Sequence, residues 1–209
     1  MVLEIRQIMD TSPVIPVLVI KELKHAVPLA QALYKGGLKV LEITLRTPVA
    51  LDAITAIREA LPNAIVGAGT VIDSETLMAA EKAGSQFFVS PGTNDSLLAA
   101  AKYSQIPLLP GVATPSEAMR LYDQGFTALK FFPAEAAGGA QMLKSIGGPL
   151  PQLDFCPTGG INPVNAPDYL SLANVRCVGG SWMAPDKLVQ AEKWQEIEDM
   201  ARVAASLGK

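Results

Sequence analysis

Eight times along the chain, a short run rich in β-branched and aromatic residues gives way to a Gly, Pro or polar break and then to a stretch of helical character. The runs are VIPVLVI from Val14, VLEITL from Val40, AIVGAGT from Ala64 and FFVSPG from Phe87, followed by LLPGVAT from Leu108, ALKFFPA from Ala128, DFCPTGG from Asp154 and VRCVGGS from Val175. Their starts lie 20 to 26 residues apart, the length of one strand, one helix and two short connections. A doubly wound open sheet is the competing architecture, but it usually has five or six strands. The count therefore predicts the α/β class and a single (β/α)8 TIM barrel, one domain over residues 1–209. The segment before Val14 falls outside the repeat and is expected to form a short helix at the barrel bottom.

Composition agrees with strands buried on both faces. Charged residues make up only 18% of the chain and apolar residues 49%, a balance suited to a parallel sheet covered by helices. The formal net charge is -3 with no basic block, which argues against nucleic acid or an anionic membrane as partner. The densest apolar run, residues 14–20, contains Pro16 and stops at Lys21, far short of a membrane span. Glu4, Arg6 and Asp10 interrupt any signal-peptide core, so a cytoplasmic location is expected. Cys156 and Cys177 read as buried packing rather than a disulfide framework. With His25 the lone histidine, a His-rich metal centre or a Ser-His-Asp triad has little to be built from.

Helix starts carry their own signals. Thr47-Pro48, Thr114-Pro115 and Asn162-Pro163 each place a capping side chain before proline at a first helical position, and Glu117 completes a capping box with Thr114. At the other end, Leu188, Trp194, Ile197, Ala201 and Ala204 predict one long final helix over residues 187–207.

Two charges sit where strand interiors should be apolar: Glu42 in VLEITL and Lys130 in ALKFFPA. Period-two alternation puts Glu42, Thr44 and Arg46 on one face, and Lys130 with Phe132 on another. A buried ion pair without chemistry is the plainer explanation, yet such pairs stabilise poorly compared with apolar packing. The same burial disfavours an ammonium ion and supplies a neutral amine able to attack a ketone, with a nearby carboxylate to move protons. Arg46, at the C-terminal end of its strand, is either a solvated end charge or a fork for a substrate carboxylate. Thr158-Gly159-Gly160 and Val178-Gly179-Gly180-Ser181 end the seventh and eighth runs, where barrels commonly bind phosphate. Gly67-Ala68-Gly69-Thr70 and Ser90-Pro91-Gly92 are either turn chemistry or a lining that leaves room in the barrel mouth.

LEITLRT (41–47), VGAGTV (66–71), FFVSPG (87–92), LKFFPAE (129–135), FCPTGGI (155–161) and VGGSW (178–182) together resemble the 2-keto-3-deoxy-6-phosphogluconate (KDPG) and 4-hydroxy-2-oxoglutarate (KHG) aldolase family, over residues 14–185. The resemblance implies a class I aldolase that needs no cofactor or metal and acts on a phosphorylated keto acid, in a homotrimer. It further implies Lys130 as Schiff-base nucleophile and Glu42 as acid/base. Arg46, Thr70 and Thr158 would hold the pyruvoyl end, and Pro91 and Phe132 would shape the pocket. Gly159, Gly160, Gly180 and Ser181 would take the phosphate. Phosphogluconate, phosphogalactonate and 4-hydroxy-2-oxoglutarate substrates all remain open at this point. So does a non-catalytic barrel that binds a phosphorylated ligand, in which Lys130→Met would keep fold and affinity. A metal-dependent pyruvate aldolase would need a ligand set that one histidine and scattered acids do not supply, and a phosphate-binding isomerase or decarboxylase would leave Lys130 without a use.

Overall fold

A computed structural model describes residues 4–208; the expected unit of 1–209 also includes residues 1–3 and 209, which lie outside the described residues. The strands are β1 (Val14–Leu18), β2 (Val40–Thr44), β3 (Ile65–Gly69), β4 (Phe88–Val89), β5 (Leu108–Leu109), β6 (Gly111–Val112), β7 (Ala128–Phe131), β8 (Asp154–Pro157) and β9 (Val178–Gly180). All pairings are parallel, and helices separate most strands, so the chain is an α/β fold built on curled parallel sheet.

The hydrogen bonding departs from an eight-stranded ring. It forms a six-stranded sheet in the order β5-β4-β3-β2-β1-β9 and a three-stranded sheet in the order β6-β7-β8. The fifth expected strand is split at Pro110, which has no N–H to donate. Beyond it, the Gly111 N–H turns to the Ser90 hydroxyl at 3.2 Å. Segment 108–112 thus serves both sheets, β5 pairing with β4 and β6 with β7. Between β8 and β9 there are isolated bridges, Phe155 to Val175 and Thr158 to Gly179, in place of a ladder.

Alternation sorts side chains into two apolar layers. Outward residues such as Leu41, Ile43, Val66, Leu129 and Phe131 join the helices in the larger cluster. Inward residues Ile15, Val40, Phe87, Val89, Leu109, Ala128, Cys156 and Cys177 form a smaller inner one, which also holds Ile8 and Met9. Those two belong to the helix Ile5–Asp10, which seals the lower end as expected. Polar contacts fasten it there. Asp154 takes the Arg6 and Arg176 guanidinium groups at 2.7 and 2.9 Å, and Arg176 reaches Asp10 at 2.9 Å.

The helix expectations meet different outcomes. Thr114 caps helix Pro115–Asp123, and Glu117 completes the box. Thr47 does not cap: its hydroxyl donates to the Ile20 carbonyl at 2.6 Å, and the helix begins later, at Ala50. Asn162 likewise accepts the Val164 and Asn165 N–H groups in a local turn, ahead of helix Ala166–Leu170. The expected long final helix is two, Asp186–Gln190 and Trp194–Ala205, divided where Glu192 takes a left-handed φ of 52°.

Candidate active site

A cavity of about 400 Å³ opens at the C-terminal ends of the strands. Each residue to which the family resemblance gives a role lines it: Glu42, Arg46, Thr70, Pro91, Lys130, Phe132, Thr158, Gly159, Gly160, Gly180 and Ser181; Gly67, Ala68, Gly69, Ser90 and Gly92 do not. Thr44, Val17, Val19, Ile161 and Gly179 line it too. Of these, Thr44 was legible as facing with Glu42, whereas Val17 and Val19 carry no chemical signal that would separate them from core.

Strand register explains the convergence. Lys130 stands in the middle of β7 and Glu42 in the middle of β2, both on the inward face, one layer above the inner apolar cluster. They are 6 % and 4 % exposed. Lys130 Nζ lies 3.5 Å from Glu42 Oε1 and 5.2 Å from the centre of the Phe132 ring, two residues along the same face. The Glu42 oxygen accepts no hydrogen bond among the described residues. A buried acceptor of this kind is costly to fold unless it is compensated, and the Lys130 ammonium at 3.5 Å is the charge that compensates it. The neighbouring strand makes room for it: a Cβ on Gly69 would fall 2.1 Å from Glu42 Oε1.

Around this pair the walls differ in character. Thr158 and Thr70 sit at the ends of β8 and β3, and Thr70 holds a left-handed φ of 62°, a conformation that costs a β-branched residue about 1–3 kcal/mol. The exposed Arg46 guanidinium stands on the rim. On the opposite side Gly159 and Gly160 turn with φ of 103° and 79°, which only glycine adopts without strain. Below the pair, Cys156 is the β8 register partner of Lys130. The neighbouring Cys156 side chain and complete burial push the Cys177 thiol well up, so Cys177 offers no thiolate nucleophile. No three His, Cys, Asp or Glu side chains gather as a metal site among the described residues. No helix there is long and apolar enough to cross a membrane.

Similar sequences and a closely similar fold occur in known proteins. The family model described as KDPG and KHG aldolase matches residues 5–200. The 2-dehydro-3-deoxy-phosphogluconate aldolase of Pseudoalteromonas atlantica is 53% identical over 201 residues, covering 96% of this chain and 94% of that protein. The KHG/KDPG aldolase of Escherichia coli K12 is 51% identical over 202 residues, covering 97% and 95%. In three dimensions the KDPG aldolase of Legionella pneumophila, solved with pyruvate captured at low pH as a covalent carbinolamine intermediate, matches with a TM-score of 0.94. It shares 49% identity and covers 96% of this chain and 98% of that one.

Proposed function

Because this chain belongs to the KDPG and KHG aldolase family, we propose that it cleaves 2-keto-3-deoxy-6-phosphogluconate to pyruvate and glyceraldehyde 3-phosphate, with Lys130 as Schiff-base nucleophile and Glu42 as acid/base. The observation that carries the assignment is the buried pair at 3.5 Å in a cavity that ends on apolar side chains.

The steps follow from that placement. The Lys130 amine adds to the C2 ketone to give a carbinolamine, and loss of water leaves an iminium ion. The C3–C4 bond then breaks. Its electron pair moves into the iminium and generates an enamine, while the C4 hydroxyl proton passes to Glu42, directly or through one water. The aldehyde leaves, C3 of the enamine takes a proton, and hydrolysis releases pyruvate and restores the amine. Arg46, Thr70 and Thr158 hold the keto-acid end, and Pro91 and Phe132 confine it. The backbone of the Gly159 and Gly160 turn, with Gly180 and Ser181, receives the phosphate. Cleavage of 4-hydroxy-2-oxoglutarate to pyruvate and glyoxylate uses the same chemistry without the phosphate contacts.

Two measurements test this reading. Borohydride reduction in the presence of pyruvate is expected to leave one stable adduct on the peptide containing Lys130; full activity with no adduct there would sink the mechanism. Across phosphogluconate, phosphogalactonate and 4-hydroxy-2-oxoglutarate substrates, kcat/KM should be highest for the first, and equal values would remove the glycine turns from recognition.

We also propose that the chain assembles as a homotrimer. Ile72 and Met78, beside and on helix Ser74–Lys82, and Met119 and Tyr122, on helix Pro115–Asp123, are 47%, 60%, 56% and 41% exposed, large apolar side chains that an interface between copies of the chain would cover. Sedimentation equilibrium should give three times the 22.0 kDa chain mass; a monomer at micromolar concentration would overturn this.

A further inference from the structure

One contact joins the connection after β7 to the connection after β8 and has no part in the chemistry above. Tyr169, buried on helix Ala166–Leu170, donates its hydroxyl to Glu135 Oε1. Burial first, and then that carboxylate, push the phenol up, so the O–H remains a donor at neutral pH.

Glu135 is itself packed onto the glycine turn. A Cβ on Gly160 would stand 2.6 Å from Glu135 Cγ and 2.7 Å from its Cβ, so the side-chain stem lies directly on the Gly160 backbone. The Glu135 N–H donates to the Gly159 carbonyl at 3.1 Å, and the Ala134 N–H to the Thr158 carbonyl at 2.8 Å. From the other side, Asn165 Nδ2 donates to the Gly160 carbonyl at 3.1 Å. The carbonyl side of the turn is thereby engaged. The Gly160 and Ile161 N–H groups meet no acceptor among the described residues, and both residues line the cavity.

Charge makes the tether matter. Glu135 is exposed, and it stands at the edge of a turn assigned above to a phosphate. A carboxylate free to rotate there would repel a dianion across a few ångströms. With one oxygen held by the Tyr169 hydroxyl, its position is fixed against the outside of the turn.

We propose that Tyr169 and Glu135 are positioning residues for the phosphate end of the site: the phenol anchors the carboxylate away from the bound anion, and the Glu135 stem holds Gly160 in its left-handed conformation. This inference rests on the phosphate reading given above. Neither residue lines the cavity around Lys130, so the pair acts on one end of the substrate and leaves the reacting end alone.

Tyr169→Phe keeps the buried ring and removes the tether. It is expected to raise KM for 2-keto-3-deoxy-6-phosphogluconate on the order of tenfold, the size of a lost hydrogen bond to a charged group. It should leave kcat within about twofold and kcat/KM for 4-hydroxy-2-oxoglutarate unchanged. Adding Glu135→Gln, which removes the charge, should recover most of the KM. A purely structural role would instead depress both substrates together, and that result overturns the proposal. So does an unaltered KM in Tyr169→Phe when the unsubstituted protein prefers the phosphorylated substrate. Equal kcat/KM for both substrates in the unsubstituted protein would overturn the phosphate reading itself, and this inference with it.

Discussion

Lys130→Met is expected to bring turnover to the uncatalysed background and, at the same time, to destabilise the fold by about 3–5 kcal/mol. The first effect follows from the cavity's inventory. Lys130 and Arg46 are the cationic side chains that line it, and a guanidinium cannot supply a neutral amine at working pH. The Cys177 thiol beneath is held protonated. The second effect follows from what methionine leaves behind: Glu42, 4 % exposed, loses its counter-charge in a low-dielectric site. Combining Lys130→Met with Glu42→Leu removes that orphaned charge and should return stability to at least the starting value, still without activity. Urea melts of the three proteins and a pyruvate-release assay check both halves. Residual turnover within about a hundredfold of the parent would exclude Lys130 as nucleophile, since covalent catalysis has no partial substitute here. A double variant less stable than the single one would refute the electrostatic account.

Glu42→Gln should lower kcat by about 10²- to 10⁴-fold, the usual contribution of one general base, while borohydride still traps pyruvate on Lys130. The amide matches the carboxylate in shape, so the space that Gly69 leaves for Oε1 remains filled, but Lys130 loses its counter-charge and the variant is expected to be less stable than the parent. What it loses is the ability to take the C4 hydroxyl proton. Separating trapping from turnover is the discriminating readout. Near-parent turnover would remove Glu42 from proton transfer, and failure to trap would mean that it acts on amine addition instead.

Much of the site was readable because strand alternation is a local property. Once Glu42 and Lys130 are mid-strand in β2 and β7, period two carries Thr44, Arg46 and Phe132 to the same faces, and βα connectivity brings the strand ends to one rim. Capping signals were less dependable where tertiary contacts compete. Thr114 faces no rival acceptor and caps as read, whereas the Thr47 hydroxyl is drawn to the Ile20 carbonyl of the adjoining connection. The division of the final helix had a faint local sign, since Leu188 and Trp194 are six residues apart, a step that no helical face accommodates. The split at Pro110 was visible as a proline but not as the point where two sheets share a strand. The Tyr169 contact with Glu135 spans 34 residues and leaves no periodic trace, because neither partner is out of place in its own segment.

The helix Ile5–Asp10 has a consequence for traffic through the molecule. Ile8 and Met9 are fully buried against Ile15, Val40, Phe87 and Cys177, and Arg176, Asp154 and Asp10 lock the helix in place. The passage over Lys130 therefore has a blind end. Whatever is bound deepest must wait for whatever is bound nearest the rim. In the proposed mechanism the three-carbon fragment is attached to Lys130 and the phosphate is held at the glycine turns, so the aldehyde would stand between that fragment and the exit. The order of departure, aldehyde first and pyruvate second, is then imposed by the stopper at the far end as much as by the covalent bond.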